Sequence, residues 1–74
     1  MNSFDHIHLF KTNIRTEKDK RKVQFIFNKR EEVEDWNIDQ EDEDCVLRII
    51  SYRLETNTII KLITGKGYFC AELL

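Results

Sequence analysis

The spacing of apolar residues constrains this chain most, because it switches from the two-residue repeat of a strand to the three- and four-residue repeat of a helix and back. From Asp5 to Thr12, Ile7 and Leu9 alternate with His6, His8 and Phe10, which predicts a first strand. If Ile7 and Leu9 face the core, His6, His8 and Phe10 lie on the opposite face. Thr16 followed by Asp19 resembles a capping box with the shorter acid and predicts a helix start, with Glu17 and Asp19 at the positive end of its dipole. Val23, Ile26, Phe27 and Arg30 then recur at helical steps, while Lys20, Arg21 and Lys22 face water. Val33, Trp36 and Ile38 mark a second strand. Asp39 to Asp44 reads as a hairpin loop into a third strand, Cys45 to Tyr52. Both parities of that third strand are largely apolar, so alternation leaves its register open and suggests a central position. In Glu55 to Thr64, the spacing of Ile59, Ile60, Leu62 and Ile63 favours a short buried helix over a strand. Gly65 or Gly67 supplies the left-handed residue that ends it, and Tyr68 to Leu73 closes as a final strand.

The predicted order is therefore β-α-β-β-α-β. In a single domain spanning residues 1–74 it points to an α+β, ferredoxin-like sandwich: a four-stranded antiparallel sheet in the order 4-1-3-2 with two helices on one face. The absence of proline, with glycine confined to positions 65 and 67, leaves no linker and no second domain. A hydrophobic fraction of 41% suffices for one core, although chains this short keep only a modest stability margin. The net charge of −2 argues against general attraction to nucleic acid or anionic lipid. No apolar run approaches the roughly 18 to 20 residues needed to span a bilayer. Met1 to Lys11 lacks the features of a secretion signal, so the expected address is cytoplasmic. Charge is sorted along the chain. Residues 11–30 hold eight of the 12 basic residues and residues 31–44 hold nine of the 14 acidic ones.

Several residues together resemble the heavy-metal-associated domain of small copper chaperones and metal-pump N-termini. That family carries Gly-Met-x-Cys-x-x-Cys where its first loop enters its first helix, and the pattern falls here on Asn13 to Asp19. Val33, Trp36, Ile38 and Asp39 match its second-strand pattern, and Ile63, Gly67, Tyr68 and Ala71 its closing one. The resemblance covers essentially the whole chain and implies the same fold. Its chemistry departs at the two ligand positions, which hold Thr16 and Asp19. A hydroxyl and a hard carboxylate do not replace two soft thiolates for Cu(I) or Zn(II). Ile14, where the family has Met, is expected to keep the apolar plug beneath the loop. No resident cofactor is expected.

The remaining donors are few. His6 and His8 lie two apart and share a strand face, and either they or Cys45 would supply the donors of an alternative, atypical metal site. Against it stands the lack of further histidines to complete a coordination shell. Cys45 and Cys70 are separated by the first strand in the predicted order, about 9.5 Å across two strand spacings. That distance is beyond disulfide reach, so both are expected to be small buried hydrophobes. Asp19, Asp39 and Asp42 converge at one end without calcium-loop spacing. Ser3 and Ser51 have no neighbouring base, and Gly65-Lys66-Gly67 follows a helix instead of opening one, so catalysis is not expected. The positive first helix is the stronger candidate. By resemblance, Lys18, Lys20, Arg21 and Lys22 correspond to the face that meets acidic patches on partner domains, and charge of that kind selects partners and raises association rates. Its expected partner is a protein with an acidic patch. The acidic segment that follows also allows self-association, including a homodimer. An open sheet face bearing Phe10 would suit either a dimer or, less readily, a nucleotide base.

Overall fold

The computed structural model describes residues 6–73. Its elements are β1 (Ile7–Thr12), α1 (Glu17–Phe27), β2 (Asp35–Asp39), β3 (Val46–Ile50), α2 (Thr56–Thr64) and β4 (Cys70–Glu72). All neighbouring strands are antiparallel and the sheet runs β2-β3-β1-β4, the predicted 4-1-3-2 read from the other edge. This is the ferredoxin-like α+β arrangement.

The pairing register defines the two faces of the sheet. Ile38, Leu47 and Phe10 stand in one row, and Trp36, Ile49 and His8 in the next. Cys70 is opposite Thr12. These residues face the helices: Phe10, Leu47, Ile49 and Ile38 form one core with Val23 and Phe27 of α1 and Ile59 and Ile63 of α2. Both helices therefore cover the same face, as expected.

The expected facing of β1 is reversed. Phe10 is fully buried, whereas Leu9 is 38% exposed and lies with Ile7 on the open face. A phenyl ring removes more apolar surface from water than either aliphatic side chain, and strand parity lets only one set go inside. The polar residues that accompany Phe10 inward are satisfied. Thr12 Oγ1 donates to the Cys45 carbonyl at 2.6 Å and accepts from the Ile14 N–H at 3.2 Å. His8 places Nε2 3.2 Å from the Ser51 carbonyl and Nδ1 3.3 Å from Thr56 Oγ1.

Strand ends are trimmed for identifiable reasons. Cys45, expected to open β3, has φ 43° and precedes the strand. After Ile50, the Ser51 hydroxyl accepts from the Arg53 and Leu54 N–H groups and donates to the Glu32 carbonyl, which turns the chain toward α2. Tyr68 N–H goes to Ile63 and Phe69 N–H to Asn13 Oδ1, so β4 begins only at Cys70. Val33 bonds back to Arg30 and lies ahead of β2. Gly67, at φ 93°, is the left-handed residue after α2.

Candidate functional site

Three connections meet at one end of the molecule, and side-chain bonds join them. Gln40 Nε2, in the β2–β3 hairpin, donates to the Thr16 carbonyl at 2.8 Å, and Arg15 donates to the Glu43 carbonyl at 3.2 Å. Tyr68 OH, beyond α2, donates to Asp19 Oδ1 at 2.9 Å.

Thr16 and Asp19 both serve local structure at this end. Thr16 is the N-cap of α1, and its Oγ1 accepts from the Asp19 N–H at 3.0 Å. Hydrogen bonding to Thr16 and then to Tyr68 holds the Asp19 carboxyl below its usual range, with a smaller pull from Lys22. Burial and the Asp19 charge push the Tyr68 phenol up. Ile14 is fully buried beneath the loop, as the expected plug.

Asp39 and Asp42, in the hairpin at this end, are also engaged in local structure. Asp39 Oδ1 accepts from the N–H groups of Glu41 and Asp42, and Asp42 Oδ1 from that of Asp44. These are turn-forming bonds of the kind short acidic side chains make. Among the described residues, no group of three or more His, Cys, Asp or Glu side chains is placed to hold a metal ion.

The proposed histidine pair is divided by its surroundings. His8 lies against α2 with both ring nitrogens engaged, and His6 stacks on Tyr52 with ring centroids 4.3 Å apart. Cys45 and Cys70 are both buried free thiols. Burial pushes the Cys70 thiol up to about 11, away from the reactive thiolate. Ser51 is buried and has its hydroxyl fully used; Ser3 lies outside the described residues.

The basic first helix presents the more open chemistry. Lys18, Arg21 and Lys22 line a shallow groove of ≈ 550 Å³ that continues over Phe25 and Ile26 to Lys66, just past α2. An adjoining depression extends it over Leu62 toward Lys29 and Arg30, with Glu32 as the acid on its wall. Phe25 is 66% exposed, and the Lys29 ammonium sits 3.9 Å from its ring centroid. The groove thus combines an aromatic and aliphatic floor with a cationic rim. Lys20 is half-buried and does not line it.

Sequence reasoning found the cations of α1 and missed the floor. The steps from Lys18 to Lys22, Phe25 and Lys29 are helical, so that stripe was readable from the sequence. Lys66 joins it from about forty residues further along the chain, through packing that no local signal carries. The placement of Phe10 on the open sheet, on which both the dimer face and the less favoured base platform rested, is reversed: Phe10 points inward and no Phe, Tyr or Trp side chain faces outward within the four strands.

Comparison with models of known families, with curated proteins and with solved structures finds no match to this chain.

Proposed function

We propose that this chain is a non-catalytic, cytoplasmic interaction module of the heavy-metal-associated type. It has lost the thiolate clamp and docks on an acidic protein surface through the face of α1. The observation that carries this reading is the groove: Lys18, Arg21, Lys22, Lys29 and Lys66 surround Phe25, with Glu32 the acid on its wall. Clustered cations attract a negatively charged partner and set the encounter rate, while an exposed aromatic at the centre of the patch supplies contact energy. Thr16 and Asp19 support the absence of a metal clamp, since their polar atoms already cap the helix and bind Tyr68.

Pull-down with wild-type chain against a Lys18→Glu, Arg21→Glu, Lys22→Glu variant, which reverses three cations of the groove, tests the reading. Selective loss of a partner from the variant is the expected result, and equal recovery of every partner removes α1 from the argument. Calorimetry of the reduced protein with Cu(I) and Zn(II) tests the atypical metal reading. Stoichiometric binding tighter than about micromolar would replace the interaction module with a carrier.

A further inference from the structure

Five cations of the α1 groove are left without a carboxylate in contact. Among the described residues the one ion pair joins Arg30 to Glu32 at 3.6 Å, and Lys18, Arg21, Lys22, Lys29 and Lys66 take part in none. These cations form a stripe of limited length. Lys18, Lys22, Phe25 and Lys29 recur at helical steps, so they share one side of α1 and the turn after it over about 16 Å. Beyond each end of the stripe the charge changes sign. Gln40 and Arg15 tie the β2–β3 hairpin to the start of α1, which sets the exposed Glu41, Asp42 and Glu43 beside it. At the other end the chain leaving Arg30 runs directly into Glu31, Glu32 and Glu34.

We infer that the occupant of this groove is a short acidic amphipathic helix of a partner protein, about three turns long. The inference rests on the docking role proposed above and specifies its partner. The floor takes the apolar side of such a helix: Ile26 and Leu62 are half-buried and packed on the core, and Phe25 is 66% exposed between them and the rim. The Lys29 ammonium, 3.9 Å from the Phe25 ring centroid, covers part of that ring and leaves the rest for contact. On the rim, Lys18, Lys22 and Lys29 follow one another about a turn apart, the spacing at which glutamates or aspartates recur along one side of a facing helix. Lys66, on the α2 side, meets carboxylates on the other flank of the same helix.

The walls and the ends of the groove select this occupant over others. Its walls come from α1 and the end of α2, whose backbone groups are bonded within the helices, so an extended segment finds no strand edge and would lay unbonded amides on an apolar floor. A helix satisfies its own backbone. Nucleic acid carries an unbroken run of phosphates, which would continue past about 16 Å onto the hairpin carboxylates at one end and Glu31, Glu32 and Glu34 at the other. An anionic bilayer meets the same carboxylates and is too flat to reach a floor set between two helices. A segment of three turns ends where the cations end.

Fluorescence anisotropy with a labelled peptide of about 12 residues tests the inference. Its leucines recur at three- and four-residue steps with glutamates on both flanks, and a shuffled peptide of the same composition lacks the apolar side. Saturable binding at ~10–100 µM is expected, with a gain of peptide helicity and backbone amide shifts confined to Lys18–Lys29 and Leu62–Lys66. Phe25→Ser and Lys22→Glu should each weaken it at least ~10-fold, and the shuffled peptide should bind at least ~10-fold more weakly. Lys11→Glu, on the sheet face away from the helices, should leave binding unchanged. Equal binding of the two peptides overturns the inference, because the groove would then sense charge alone. So does an absence of saturation by ~1 mM, or tighter capture by phosphatidylserine vesicles or a single-stranded oligonucleotide than by the designed helix. The pull-down fails by equal recovery of partners and this experiment by lack of discrimination among ligands, so the two readings fail separately.

Discussion

Thr12 buries a hydroxyl in the row where its β4 neighbour Cys70 buries a thiol, and it spends that hydroxyl twice, on the Cys45 carbonyl and the Ile14 N–H. Thr12→Val keeps the shape and leaves both backbone groups buried without a partner. We expect a loss of about 1–3 kcal/mol in urea unfolding. The Asp19–Tyr68 pair carries a pH signature of its own. The folded-state value of Asp19 is lowered, so its contribution is present above the unfolded value near 3.8 and disappears as pH falls through the lower folded value. Tyr68 is raised, so its contribution is full below its ordinary value of 10.0 and is lost as pH rises through the folded one. Tyr68→Phe should reduce both dependences in denaturant titrations run across these two windows, and an unchanged profile would detach the bond from stability. Much of this was invisible in the sequence. Thr16 was readable as a cap because its partner lies three residues away, whereas the Tyr68 bond to Asp19 joins residues 49 apart.

Elements were legible where local chemistry punctuates them. The Thr16 cap, the acidic β2–β3 turn and the left-handed Gly67 each delimit an element as the sequence suggested. Gly67→Ala meets no atom within 4 Å, yet its positive φ strains any side chain. A cost of about 1 kcal/mol in thermal unfolding follows. Facing was harder to read, since β1 has apolar residues on both parities and the balance turned on Phe10 finding Leu47 and Ile38 in its row. The same distinction separates the two phenylalanines of α1. Phe27 is 1% exposed and Phe25 66%, so Phe27→Ala should cost about 3–5 kcal/mol while Phe25→Ser stays within about 0.5 kcal/mol. Differential unfolding of the pair checks the assignment of core and groove.

At the scale of the whole molecule, the strand order followed from the element order because short antiparallel chains have few unknotted ways to cross over. The groove and the open face did not follow, since both arise where distant segments meet. Burial at two separate places keeps the thiols unreactive: native protein should take up a thiol reagent more slowly than unfolded protein by orders of magnitude, and air oxidation should leave no internal bridge. Rapid native labelling of Cys70 would mean that β4 opens readily.

The strand order also dictates a schedule. β1 is made before the other three strands of this sheet and sits inside it, with one edge bonded to β3 and the other to the three-residue β4, made last of the four. During synthesis the β2–β3 hairpin closes early, while β1 keeps a bare row of amides along its second edge until Cys70 to Glu72 emerges. The codons for Cys70 to Glu72 therefore decide whether a nascent molecule becomes shielded or stays adhesive, and a frameshift or stop before Cys70 would release a product with β1 as an uncovered edge.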